Sequence, residues 1–277
     1  MSSRFEWPIS GVDFTSRPRR QKPITVATGR MRNHAFALDR VEEYADWERF
    51  ECWLKRKGPW VAGFDFPFGL PREATSALGW PASWHELVLH CRLLGREKFR
   101  IALDRYRESR PAGNRYAHRA TDHPAGSHSP LKLVNPPVGL MFLEGAPRLL
   151  QAGITLPGLS NGDPRRIGFE AYPGFAARRI VKSSYKNDSR AKQTPARRRA
   201  RKTIISALIS GSNPFGISLR ASSQTLGSLV QDASGDRLDA VLCALQAAWA
   251  WQRRSANYGL PSAIDSLEGW IAMVPER

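Results

Sequence analysis

Apolar and polar positions change period several times along this chain, and each change marks an element. Residues 8–14 are a short, largely apolar run that ends at Asp13, which predicts a strand. Residues 22–30 carry the β-branched run Ile24-Thr25-Val26, a second strand, and residues 33–39 alternate loosely as a third. The basic linker 15–21 contains Pro18 and reads as a turn. In residues 44–57, Trp47, Phe50, Trp53 and Leu54 recur at spacings of three and four, a helix stopped by Gly58-Pro59. Residues 60–65 (Trp-Val-Ala-Gly-Phe-Asp) then form a buried strand, terminated by Pro67 and Gly69. Three meandering strands followed by a crossover helix lead into a fourth strand parallel to the first. That path makes strands one and four neighbours and sets Asp13 beside Asp65 at the carboxyl-terminal edge of the sheet.

Strand–helix alternation then lapses. Residues 83–109 read as a helix, apolar at Leu87, Val88, Leu93 and Leu94 and amphipathic at Phe99, Leu103 and Tyr106. A polar, turn-rich stretch, 110–137, contains Arg119, Asp122, His123, His128 and Lys132, and residues 138–151 return to helix despite Gly145 and Pro147. Residues 71–158 are thus expected to be a helical insertion covering the edge that bears the acids. Ile167, Phe169 and Ala171 alternate around Glu170 in a fifth strand, 166–172. Helices follow at 175–181, 195–209 and 222–231, with 184–190 as a loop. In residues 236–252, Leu238, Val241, Leu242, Leu245 and Trp249 form one apolar stripe of helical period. The tail from 257 is turn-rich, with Leu267, Trp270 and Ile271 as a last helical anchor. The expectation is one α/β domain over residues 1–277, a mixed five-stranded sheet of order 3-2-1-4-5 flanked by helices. A β-β-β-α-β opening of this kind is that of the ribonuclease-H-like fold.

A 42% hydrophobic content with nine Trp and twelve Phe belongs to a folded globular chain. No apolar run approaches the roughly 20 residues that span a bilayer, and the N-terminus lacks the apolar segment of a secretory signal. Cys52, Cys91 and Cys243 are far apart, with no CxxC pair. The expectation is therefore a cytoplasmic protein with reduced core thiols, no membrane association and no disulfide-linked partner. Oligomeric state is left open.

Charge narrows the choice of partner. The chain has 42 Lys+Arg against 25 Asp+Glu, a net +17. Residues 178–202 hold eleven basic residues and one acid, and residues 17–32 hold six basic residues and none. Such stripes are the footprint of a nucleic-acid (DNA or RNA) binder; a solvated, arginine-rich surface would look similar. Candidate phosphate contacts are Arg17, Arg19, Arg20 and Lys22 from the first stripe. From the second come Lys186, Arg197, Arg198, Arg199, Arg201 and Lys202. Arg119 and Lys132 are candidates from the inserted region, though Arg119 could equally pair with Asp122.

In so basic a chain, acids at the edges of apolar runs stand out. Asp13 and Asp65 end strands, where a turn-forming role is the plainer alternative. Glu170 lies inside an apolar strand, where it needs either a cation or an arginine partner. Asp236 and Asp239 share one face of a first helical turn, and they read either as ligands or as Asp236 capping with Asp239 favoured by the helix dipole. Converging carboxylates repel unless a cation neutralises them, and oxygen-only ligands select Mg²⁺ or Mn²⁺. Such ions can activate water and stabilise the departing oxygen in phosphodiester hydrolysis, with no nucleophilic side chain required. The spacing of His118, His123 and His128 fits no zinc helix or finger.

Several segments, in order along nearly the whole chain, make it resemble domain-of-unknown-function family 429. They are Gly11-Val12-Asp13, Phe64-Asp65 through Pro71, Arg119 through Asp122, Glu170-Ala171-Tyr172-Pro173, Tyr185-Lys186 and Asp236 through Ala244. Members of that family are predicted nucleases of ribonuclease-H-like fold. The spacing of Asp13, Asp65 and Asp236/Asp239 is also similar to that of Holliday-junction resolvases, whose ligands come from the first strand, fourth strand and final helix. The resemblance implies a Mg²⁺- or Mn²⁺-dependent nuclease of two-metal mechanism. Asp13, Asp65, Asp236 and Asp239 would be its ligands and Glu170 a further ligand or water-orienting base. Two rival expectations keep the fold: a non-catalytic nucleic-acid-binding protein, and an actin- or sugar-kinase-like phosphotransferase. The second would need a Gly-rich phosphate loop between Glu170 and Gly235, and none is present.

Overall fold

Apolar alternation and one tight turn build the centre of the sheet. In the computed structural model, which describes residues 7–276, β1 (Ile9–Asp13), β2 (Ile24–Arg32) and β3 (Ala35–Tyr44) pair antiparallel. The β2–β3 hairpin turns on Asn33 and His34 at φ 48° and 65°, the twisted two-residue loop that suits right-handed strands. These two residues, expected to open the third strand, are the turn itself. Next, α1 (Trp47–Leu54), capped by Asp46, buries Phe50, Trp53 and Leu54 and crosses over to β4 (Trp60–Phe64), parallel to β1.

Between β4 and the next strand lie α2 (Arg72–Ala77), α3 (Trp84–Glu108), the single turn α4 (Asp122–Ala125) and α5 (Val138–Ala152). Gly95, at φ 69° and ψ 171°, breaks α3 into two segments where one helix was expected. After β5 (Ile154–Thr155), β6 (Asp163–Glu170) pairs parallel with β4. Then come α6 (Pro173–Ile180), α7 (Pro195–Ser210), β7 (Ser218–Arg220), α8 (Ser223–Gln231) and α9 (Asp236–Gln252). The sheet has seven strands in the order β5-β6-β4-β1-β2-β3-β7, antiparallel within the β1-β2-β3 meander and otherwise parallel. The five expected strands keep their expected order. The two extra edge strands, of two and three residues, are too short to show a period.

Helices cover both faces. Val12, Val26, Ala62 and Phe64 pack toward α1, α3 and α5. Ile9, Ala27, Val61, Ile167 and Phe169 pack on the opposite face, with α9. That helix is buried all round from Leu238 to Ala248 rather than along one stripe, because it lies between the sheet and α6 and α8. Its approach to the sheet is set by two glycines. A Cβ on Gly11 would stand 2.0 Å from both Ala240 O and Ala244 N, and one on Gly63 would stand 2.4 Å from Cys243 O. Gly11→Ala is therefore expected to destabilise the protein by about 3 kcal/mol or more, since backbone must move to admit it. The check is the urea midpoint; an unchanged midpoint would mean that α9 does not touch β1.

After a 3-10 turn at Arg254–Gly259, the described residues of the tail, 260–276, form no helix. Leu267 and Ile271 are buried from turns, and Ile271 makes a parallel bridge to Glu170. All three cysteines are free, but Cys52 is exposed, so only Cys91 and Cys243 are core thiols. Among the described residues no helix is long and apolar enough to cross a membrane.

Candidate metal centre

Strand alternation places the acids. Ile9, Gly11 and Asp13 share one face of β1; Val61, Gly63 and Asp65 share the same face along β4 and just past its end. The glycines let α9 lie on the strands, and the first turn of α9 then meets the two aspartates. Asp65 N donates to Val12 O at 2.9 Å, which fixes their adjacency. One carboxylate oxygen from each of Asp13, Asp65 and Asp239 lies within 4.8 Å of the others.

The three acids are not equivalent. Asp239 is fully buried and both its oxygens are engaged: the Tyr185 hydroxyl donates to Oδ1 at 2.5 Å, and the Lys186 ammonium pairs with Oδ2. Asp13 is 6% exposed, and neither it nor Asp65 receives a hydrogen bond or ion pair from any described residue. Burial pushes the Asp13 carboxyl well above the usual carboxylate range, and Asp236, Asp239 and Asp65 add repulsion that Lys186 partly offsets. Burial, with Asp239 and Glu170 nearby, pushes Asp65 up to about 7 against the pull of Lys186. Burial also raises Asp239, while Lys186 and Tyr185 hold it down. Buried carboxylates that repel one another and find no donor are a site that a hard cation would relieve, and this triad could hold a metal ion.

That shift has a stability consequence with a definite sign. Between the ordinary carboxylate range and about 7 the native protein holds a proton on Asp65 that the unfolded chain has lost. Metal-free stability should therefore fall as pH rises through that window. Thermal melting in chelator is expected to show this decline, and Asp65→Asn should flatten it and raise stability at neutral pH. The same slope in the variant as in the parent would contradict the assignment.

Other candidates fall elsewhere. Asp236 does not join the converging oxygens; it accepts from Lys22 Nζ at 2.8 Å, and Lys22 also reaches Asp188 at 3.0 Å. Nor does it cap α9. Gly235 (φ 81°) is the N-cap, and Asp232 Oδ2 accepts from Arg237 N at 2.8 Å. Glu170 faces the other side of the sheet. Gly63 is registered with Phe169 and Phe64 with Glu170, so this acid points with Phe64, away from α9. Arg119 holds it through Nη2–Oε1 at 2.7 Å and Nη1–Oε2 at 2.8 Å, and Phe68 N donates to Oε2 at 2.9 Å. Glu170 is paired with Arg119 and lines the cavity with Asp13 and Asp65, but it is not one of the three converging carboxylates.

The basic residues divide similarly. Arg119 is buried between Glu170 and Asp122, and Arg201 is buried with Nη1 donating to Tyr185 O at 2.6 Å and Nε to Val230 O at 2.9 Å. Arg201 is thus turned into the protein, whereas Arg119 lines the cavity with its terminal nitrogens engaged by Glu170, Asp122 and Glu268 O. Arg201 lies on the inward row of α7 with Ile204, Ile205 and Leu208, so its place in a charged run misleads. Arg17, Arg19, Arg20, Arg198, Arg199 and Lys202 are exposed. Half-buried Arg197 reaches Ser184 Oγ at 3.4 Å, and half-buried Lys132 lies 3.3 Å from His128 Nε2.

Above the triad opens a cavity of about 790 Å³ with Asp13 and Asp65 in its lining. The stretch between β4 and β5 supplies one wall through Asn135, Pro137 and Met141; the segment 182–188 supplies another. Its cations are Lys22, Arg119, Arg178, Lys182 and Lys186, with His128 also in the lining. Arg178, Lys182 and Tyr185 are the residues that sequence reasoning passed over. The available signal was Tyr185 as the one aromatic of a polar, basic stretch. Comparison with curated proteins and with solved structures finds no match. A family profile does match: the chain belongs, over residues 11–262, to the family described as protein of unknown function (DUF429).

Proposed function

We propose that this protein is a Mg²⁺- or Mn²⁺-dependent nuclease on a ribonuclease-H-like fold. The observation that carries the reading is the meeting of buried Asp13 and half-buried Asp65, neither with a donor among the described residues, with buried Asp239 beneath a cation-lined cavity. Support for the fold comes from the antiparallel meander, the crossover helix and the parallel fourth strand, with acids on strands one and four and on the last long helix. A bound divalent ion would supply activation of water and stabilisation of charge on the departing oxygen.

The chain's own residues do the rest. Asp13, Asp65 and Asp239 hold the ion, and Tyr185 and Lys186 fix the Asp239 carboxylate. Lys22, Lys182 and Arg178 take up phosphate charge within the cavity. The exposed cations Arg17, Arg19, Arg20, Arg198, Arg199 and Lys202 track the backbone further out. In the reaction the water oxygen bonds to phosphorus and gives up a proton to solvent, while the bond from phosphorus to the leaving sugar oxygen breaks; its electron pair departs with that oxygen, which takes a proton from solvent.

Labelled single-stranded, duplex, branched and DNA–RNA hybrid substrates provide the test. Cleavage of at least one should require Mg²⁺ or Mn²⁺ and stop on chelation; cleavage indifferent to chelator would contradict the reading. A non-catalytic nucleic-acid binder is the second reading. It is favoured by Lys22 on Asp236 and Lys186 on Asp239, which neutralise two of the four neighbouring acids without metal. It predicts binding that chelation leaves unchanged, and no cleavage.

A further inference from the structure

We infer that Lys186 is a resident second cation, so that the centre takes one divalent ion where the spacing of its acids suggests a pair. The inference rests on the metal-centre reading above and concerns the number of ions and the role of this lysine.

Lys186 is built into the site. Gly235, at the start of α9 with φ 81°, has no Cβ, and one placed there would lie 2.7 Å from Lys186 Cβ and 3.0 Å from its Cδ. The aliphatic stem thus lies against the helix terminus in space only glycine leaves. Its backbone is held on both sides: Arg201 donates to Tyr185 O at 2.6 Å, and Asn187 N donates to Ala233 O at 3.2 Å. Buried Arg201 is therefore a positioning residue for segment 185–187. So anchored, the ammonium reaches Asp239 Oδ2 while Tyr185 takes Oδ1. Lys186 also lines the cavity beside Asp13 and Asp65.

Charge then sets the stoichiometry. Four carboxylates, Asp13, Asp65, Asp236 and Asp239, face two ammonium groups, Lys22 on Asp236 and Lys186 on Asp239. Fully ionised, these four and the two ammonium groups carry a net charge of two negative, which one divalent ion cancels; Asp188, which shares Lys22, has its side chain 74% exposed to solvent. With Asp13 and Asp65 given to the first ion, a second would depend on Asp239 and Asp236, each already carrying an ammonium, and like charges at contact distance oppose that strongly. Glu170, which could have supplied further negative charge, is neutralised by Arg119 on the other side of the sheet. Asp13 supplies the independent sign of a missing cation: nine-tenths buried, lining the cavity, and without any donor of its own.

The test counts ions, whatever the activity. Mn²⁺ titration of the full chain, followed by electron paramagnetic resonance and calorimetry, is expected to saturate at one ion. Lys186→Met keeps the stem and removes the charge; it should bind a second Mn²⁺, or the first at least about tenfold more tightly, a gain of about 1.4 kcal/mol. Lys186→Arg should return to one ion of parental affinity. Two ions on the parent chain would overturn the inference, as would Lys186→Met matching the parent in number and affinity. The parent count decides even if Lys186→Met does not fold. Two bound ions with metal-dependent cleavage would sink this inference and leave the nuclease reading standing, whereas a folded parent chain that binds no Mn²⁺ removes both.

Discussion

Asp13→Asn is expected to lower metal-dependent cleavage by about 10³-fold or more, since a held ion is worth several kcal/mol of transition-state stabilisation. The fold should survive the change. Asp13 accepts no hydrogen bond that the amide would lose, and burial and repulsion from Asp236, Asp239 and Asp65 already disfavour its charge. The variant should therefore melt at or above the parent temperature, the pattern of a site that is costly to fold and useful to keep. Activity measured over a range of Mn²⁺ concentrations checks the cause: partial rescue at high metal indicates weakened binding. Parental activity at low metal would place the chemistry elsewhere.

Arg119→Ala should be the most damaging substitution for stability, by about 3–5 kcal/mol, the usual cost of breaking a buried ion pair from one side. Arg119 is 2% exposed and grips Glu170 with both terminal nitrogens while Nη2 also donates to Asp122 at 2.9 Å. Nη1 reaches Glu268 O at 3.0 Å as well, so one guanidinium ties the inserted region to β6 and to the tail. Its removal leaves two carboxylates buried without their cation, against a total stability that for domains of this kind is about 5–15 kcal/mol. Urea unfolding measures the loss. Adding Glu170→Leu should recover part of it, and only part, because Asp122 remains buried and uncompensated. A loss below about 1 kcal/mol would mean that water reaches this network.

What could be read from the sequence depended on whether a period carried it. Gly11-Val12-Asp13 and Gly63-Phe64-Asp65 each place glycine and acid on one face of a strand, and the crossover order makes those strands neighbours. Asp13, Asp65 and Asp239 were therefore legible as one cluster. Glu170 was not, although its alternation with Ile167 and Phe169 was visible. Which pole of that alternation faces α9 depends on the register with β4, and a slip of one residue reverses the answer. Arg201 looked like a member of a charged run, whereas for Arg119 the pairing with Asp122 was one of two readings and is the contact the structure shows; burial of an arginine shows only in its partners. For Arg201 the row of Ile204, Ile205 and Leu208 held the clue. Tyr185 and Lys186 meet Asp239 from more than fifty residues away, out of a loop with no period. The all-round burial of α9 was hidden because its small residues, Ala240 and Ala244 against Gly11 and Cys243 against Gly63, do not register as an apolar stripe.

Crystals soaked in Mn²⁺ and measured for anomalous scattering test the central claim most directly. The account predicts one strong peak at about the 2.0–2.2 Å range of hard-ion ligation from oxygens of Asp13 and Asp65, with Asp239 in the same shell. A well-ordered crystal with no peak between these carboxylates, or with its only manganese bound elsewhere, would contradict it.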